Sequence, residues 1–198
     1  MRKLVVVLAL SAAPLAFGQA FEGAISGGVS NLTNKDIIDL GASNGKYTLA
    51  DGFRLAFRMT VNPYRIFGFE LGYAYNQSHL HFVQGGVDQD AGGMAIHQGF
   101  GDALLYATKE GSRIRPFGAV GLNFSNFVPP GASAQYGQGQ NKFGFNYGVG
   151  VKVKVTGMWQ IRFDVRQFNT GKPDFGTGAG IGGRLLQNEI SAGVGVAL

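Results

Sequence analysis

The residues of this chain with the means to do chemistry are scattered charges, three histidines and a few hydroxyls. Twelve of the charges are Glu22, Arg54, Arg58, Glu70, Asp102, Arg115, Lys152, Lys154, Arg162, Asp164, Arg166 and Glu189, and they fall on the polar positions of alternating apolar and polar segments. Successive Cβ atoms of an extended strand point to opposite faces, so these positions share one face. Cations and carboxylates are mixed on it. That leaves two kinds of chemistry: ion pairs bridging strands across an enclosed space, or a charged lining along which ions pass. In a narrow interior such groups must pair, because an unmatched buried charge destabilises a fold by several kcal/mol.

The histidines are His79, His81 and His97, around a polar stretch that also holds Asp88 and Asp90. His79 and His81 share a face if a strand extends that far, which makes a divalent-ion site geometrically open, but no fixed ligand spacing argues for one. No metal and no cofactor is expected. Ser78 and His79 are adjacent, point to opposite faces of a strand and cannot act as nucleophile and base. Glu110, Ser112 and Asp51 have no histidine near them in the order of segments, so no catalytic residue is assigned and the chain is not read as an enzyme. Gly148-x-Gly150 is followed by a strand rather than a helix and is no dinucleotide fingerprint.

The elements that position these residues are strands. Phe143, Phe145, Tyr147, Val149, Val151, Val153 and Val155 alternate with Lys142, Gly144, Asn146, Gly148, Gly150, Lys152 and Lys154, and after Thr156-Gly157-Met158 the pattern resumes with Trp159, Ile161, Phe163 and Val165. Short breaks begin at Asn62, Lys109 and Thr156, 47 residues apart each time. Between them lie long polar stretches near Asn31 to Lys46, Ser78 to Gly93, Asn126 to Asn141 and Asn169 to Arg184. The breaks divide the chain into eight strands: about Phe21 to Ser30, Leu49 to Val61, Ile66 to Gln77, Ala95 to Ala107, Arg113 to Ser125, Lys142 to Val155, Met158 to Phe168 and Leu185 to Leu198. Facing in the fourth is undecided, because both Phe100/Leu104/Tyr106 and Ala103/Leu105/Ala107 are apolar.

The first twenty residues of the sequence decide the compartment. Arg2 and Lys3, the apolar run from Leu4, and the small-x-small site Gly18-Gln19-Ala20 predict a signal peptide over residues 1–20, followed by one domain over 21–198. No later segment is long and apolar enough for a spanning helix, so a membrane form must be a closed barrel, which satisfies every backbone group internally. Cysteine is absent and glycine abundant, 33 of 198 residues. Without disulfides cohesion must come from the strand ladder, and glycine inside strands leaves room in a narrow barrel. Without Arg2 and Lys3 the chain carries 15 basic and 12 acidic residues. They are spread singly, and no nucleic-acid partner is expected. Short turns alternating with long loops, greasy faces toward lipid and charges inward predict an all-β, eight-stranded, antiparallel, up-and-down transmembrane β-barrel. A lipocalin-like soluble barrel would need the opposite polarity. Trp159 and Tyr64 suit one headgroup level and Tyr47, Tyr73 and Tyr75 the other.

Arg115-Pro116-Phe117-Gly118-Ala119-Val120-Gly121, Phe143-Gly144-Phe145-Asn146-Tyr147-Gly148-Val149-Gly150, Trp159-Gln160-Ile161-Arg162 and Ser191-Ala192-Gly193-Val194-Gly195-Val196 together resemble the small outer-membrane β-barrel family of the OmpX and OmpA-membrane-domain type. The likeness covers essentially the whole chain after residue 20. It implies residence in the outer membrane, contact with outer-membrane lipid and lipopolysaccharide, delivery by periplasmic chaperones and the barrel-insertion machinery, and a monomer. It also implies a structural or surface-interaction role with loops displayed outside the cell, or alternatively a small-solute or ion channel. Family members usually close on an aromatic residue, whereas Leu198 stands at the end here, behind Ile190, Val194 and Val196 at the same spacing.

Overall fold

A computed structural model describes residues 20–41, 44–132, 139–175 and 180–198. The signal-peptide expectation falls on residues outside these, apart from Ala20. Among the described residues ten strands form: β1 (Ala20–Thr33), β2 (Asp36–Asp39), β3 (Lys46–Leu49), β4 (Gly52–Tyr64), β5 (Phe67–Gln84), β6 (Val87–Tyr106), β7 (Ile114–Val128), β8 (Gln140–Thr156), β9 (Trp159–Gly171) and β10 (Arg184–Ala197). Eight of them, β1 and β4 to β10, pair antiparallel with their neighbours and close through β5–β6 and β1–β10 into a barrel. The short hairpin β2–β3 is laid onto the outer end of β5.

The alternation in the sequence becomes the two faces of the wall. On β8, Phe143, Tyr147 and Val149 are exposed while Asn146 and Lys152 are buried. An exposed greasy face on every barrel strand is the surface that a bilayer covers. Where charges crowd the inside, glycine supplies the space. A Cβ at Gly121 would lie 2.2 Å from Asp102 Oδ1, and one at Gly148 would lie 2.7 Å from Arg166 Cγ.

The three short connections lie at one end, where Ala20 pairs with Asn62 and Val196 with Trp159. The second polar stretch differs from expectation. Ser78 to Gly93 is no loop: β5 and β6 continue through it as a ladder closed at Gly85-Gly86, both at positive φ (58° and 83°). Two consecutive left-handed residues make the hairpin turn whose twist matches the strands, which glycine adopts without penalty. The fourth predicted strand, now β6, turns Ile96, Gln98, Phe100, Asp102, Leu104 and Tyr106 inward and leaves Leu105 exposed.

Candidate functional site

The inside of the barrel is built in tiers, starting from the short-turn end. In the lowest, Glu22 on β1 gathers donors from three other strands. It accepts from Lys152 Nζ, from Gln160 Nε2 at 3.0 Å and from Asn62 Nδ2 at 2.7 Å. Lys152 also donates to Tyr106 Oη at 2.8 Å, and Arg115 lies 3.5 Å from Glu22 with its guanidinium 3.7 Å from the Tyr106 ring centroid.

The middle tier is denser. Arg162 grips Glu70 with both terminal nitrogens, at 2.5 and 3.0 Å, and donates Nε to Asp164 at 2.6 Å. Arg166 donates to Glu70 at 2.7 Å, to Asp164 at 3.1 Å and to Asp102, whose other oxygen accepts from Asn146 at 2.5 Å. Forked, charge-assisted bonds of this kind are the strong class of hydrogen bond, and satisfying every carboxylate oxygen offsets much of the desolvation cost.

Above it, Arg54 and Arg58 share Glu189, at 3.0 and 2.5 Å. The Arg54 contact has ion-pair distance without hydrogen-bond alignment. Its Nη1 donates instead to Asn76 at 3.0 Å and Gln98 at 2.7 Å, and its guanidinium lies 4.4 Å from the Phe168 ring centroid. Arg54, Arg58, Arg115, Lys152, Arg162 and Arg166 thus meet Glu22, Glu70, Asp102, Asp164 and Glu189, all of them buried. Lys154 is the exception among the twelve. Its inward parity holds, but it pairs with Gln160 at the last register before a shift, so its side chain stands exposed in the mouth.

Over the polar tiers lies an apolar lid that sequence reasoning missed. Leu32, Ile37, Ile38, Leu49, Leu80, Met94, Ile96, Phe127 and Leu185 pack together, with Tyr47 and Phe175 against them. The fold-back of β2–β3 carries Ile37, Ile38 and Leu49 into the outer end of the barrel. The signal was there in Ile37-Ile38, an apolar pair inside a polar stretch. Tyr47 consequently belongs to this lid, 4.9 Å from the Phe82 ring centroid, rather than to an aromatic belt. Tyr64 and Trp159 are exposed at the short-turn end, and Tyr73 Oη lies 2.6 Å from His97 Nδ1 on the outer wall.

Outside the bilayer the strands form a small sheet, β2–β3–β5–β6. Lys46 donates to Asp36 at 2.8 Å and holds that carboxyl below its ordinary range, while Asp36 raises the Lys46 ammonium. The edge at β2 is covered by the Ile38–Gly180 bridge and by Ile181 N donating to Ile37 O. The other edge is open: β7 pairs with β6 only from Ala95 onward, and among the described residues β5 is the one strand that pairs with Val87–Asp90. His97 sits opposite Tyr75, well below His79 and His81, so the three histidines do not converge. No group of three or more His, Asp or Glu suited to a metal ion occurs among the described residues.

A closed antiparallel barrel with a greasy outside, paired charges within and long structures at one end defines an integral outer-membrane protein. The chain belongs to the outer membrane protein beta-barrel domain family, whose model matches residues 4–197. Comparison with curated proteins gives no match. Among solved structures it is similar to OprG of Pseudomonas aeruginosa (TM-score 0.64, 15% identity, 91% of this chain and 95% of that one). It is similar also to Neisserial surface protein A (TM-score 0.59, 17% identity, 90% and 98%). A third is outer membrane protein W of E. coli (TM-score 0.53, 19% identity, 91% and 98%). At these identities the likeness establishes the fold, and the family establishes the outer membrane as its location.

Proposed function

We propose that this protein is a closed, non-catalytic outer-membrane barrel that acts through the sheet it displays outside the cell, adding an extended segment of a partner to the open edge of β6. The observation that carries this reading is the β5–β6 ladder, which continues from Ser78 to Gln84 after β6 has lost its neighbour β7. Seven residues at about 3.3 Å each raise that ladder roughly 23 Å along the strand direction. An unpaired row of backbone donors and acceptors is a template for strand addition. Asp88 and Asp90 along it favour a segment with basic residues. Surrounding lipid and lipopolysaccharide, and delivery by the insertion machinery, accompany this reading.

The channel alternative is disfavoured by a lumen closed twice, by paired charges below and by the apolar lid above. Planar-bilayer recording separates the two. The wild type is expected to conduct rarely or not at all, and steady ion-selective current would replace the display reading with a channel whose lining is the same charged set. The edge is tested with nanodisc-embedded barrel against immobilised extended basic peptides. Counting from the Gly85-Gly86 turn, Asp88 lies at a site whose N–H faces away from β5, so Asp88→Pro should abolish binding while leaving the hairpin intact. Equal binding by wild type and Asp88→Pro would exclude strand addition at this edge.

A further inference from the structure

We propose that His79 and His81 form a two-imidazole chelate for a divalent transition-metal ion of the zinc, copper or nickel type, on the outward face of the displayed hairpin. The two residues are separated by Leu80, whose side chain is buried in the apolar lid, so both imidazoles stand on the opposite face. Two steps of strand put their attachment points roughly 6.6 Å apart, a span that two imidazoles reach across to a common ion.

The neighbouring strand prepares both rings. His79 Nδ1 lies 3.1 Å from Asp90 Oδ2, and His81 Nδ1 lies 2.8 Å from Asp88 Oδ1. A carboxylate only accepts, so each Nδ1 carries a proton, and in the neutral ring the free lone pair is the one on Nε2. A histidine that gives its other N–H to a carboxylate is the usual form of a metal-ligating histidine, because the carboxylate fixes the tautomer and raises the basicity of the ligand nitrogen. Asp90 is itself fixed, accepting from Gly92 N at 2.8 Å. The strand is held on its other side as well, since Thr48 of β3 pairs with His81. With two protein ligands the remaining coordination positions fall to water. Imidazole ligands select the later divalent transition metals over magnesium or calcium. His97 lacks this preparation: its Nδ1 contacts the Tyr73 hydroxyl and its ring lies 5.3 Å from that of Tyr75.

The test is calorimetric titration of Zn²⁺ into the refolded, untagged barrel in detergent, with heat-modifiable gel migration confirming that each variant is folded. The wild type should bind one ion per barrel in the micromolar range. His79→Gln and His81→Gln should each weaken binding at least tenfold, and the paired Asp88→Asn/Asp90→Asn variant should weaken it by about 10 to 100-fold, the usual loss when outer-shell partners are removed. His97→Gln should bind as the wild type does. Absence of saturable binding by the wild type, or wild-type binding by both His79→Gln and His81→Gln, would overturn the proposal.

Discussion

Removing the carboxylate of Glu70 is the most direct perturbation of the interior, because it is the acceptor on which the middle tier converges. It takes three bonds from Arg162 and Arg166, a fourth from Thr60 Oγ1 at 2.9 Å, and lies 3.7 Å from Arg58. In Glu70→Ala, Arg162 retains Asp164, Arg166 retains Asp164 and Asp102, and Arg58 retains Glu189, so no cation is left wholly unmatched. One carboxylate is nevertheless lost among buried arginines, and breaking a buried ionic set by removing one partner costs about 3 to 5 kcal/mol. With a urea slope of about 2 kcal/mol/M, a loss of about 4 kcal/mol lowers the unfolding midpoint by roughly 2 M. Glu70→Gln, which keeps volume and one acceptor, should fall between this variant and the wild type. Glu110→Ala, in the exposed turn between β6 and β7, should stay within about 0.5 kcal/mol of wild type. The assay is urea unfolding of refolded barrel in lipid vesicles, followed by tryptophan fluorescence from Trp159. Coincident midpoints and slopes for Glu70→Ala and Glu110→Ala would show that the interior is wet and screened, and would refute the argument.

Four further outcomes are expected. Val149→Arg, half-way along the lipid-facing side of β8, should cost roughly 2 to 4 kcal/mol in the same assay, and Val155→Arg near the turn about 0 to 1 kcal/mol; equal costs would remove the lipid-facing assignment. Leu49→Ser should produce no measurable current in planar bilayers, and neither should Leu49→Ser combined with Arg54→Ala/Arg58→Ala, since the middle and lowest charged tiers still close the lumen. Gly121→Ala should destabilise the barrel more than Gly99→Ala, because the added methyl collides with Asp102 in the first case and meets open space in the second; urea midpoints check this. The depressed Asp36 carboxyl contributes stability that is present above its ordinary pKa of 3.8 and is lost as the pH falls through its lower folded value. Protection factors across Lys46–Leu49, corrected for the intrinsic pH dependence of amide exchange, should therefore fall below about pH 3.8, and Asp36→Asn should remove that fall.

What could be read in the sequence was whatever a period of two controls. The eight barrel strands, the short turns and the polar face of β4, β5, β8 and β9 follow from alternation, because each of those strands has one face clearly greasier than the other. Strand β6 was not legible for the same reason: Phe100, Leu104 and Tyr106 face inward, yet they are as apolar as the lipid-facing Ala103 and Leu105. The outer reach of β5 and β6 was hidden because above the bilayer there is no lipid to demand apolar residues. There His79, His81, Asp88 and Asp90 read as loop, although Gly85-Gly86 marks the hairpin turn. The lid was hidden by chain separation, since Ile37, Leu80, Phe127 and Leu185 meet only after the barrel closes. Lys154 shows that parity gives direction but not depth along the axis.

The seam between β1 and β10 sets this barrel apart kinetically. Every other ladder of the wall joins strands that are close along the chain, whereas here Glu22 pairs with Ala197 and Leu198 N donates to Phe21 O. A loop some 175 residues long must close, and its entropic cost exceeds that of a 20-residue hairpin by roughly 2 kcal/mol. The wall can therefore assemble progressively as a curved open ribbon, but its last ladder forms in one late step. Until then the ribbon carries two long, sticky borders, so its hazard is greatest when it is almost finished. A circularly permuted chain, joined across the present seam and reopened at Gly157, would move that late step to between β8 and β9.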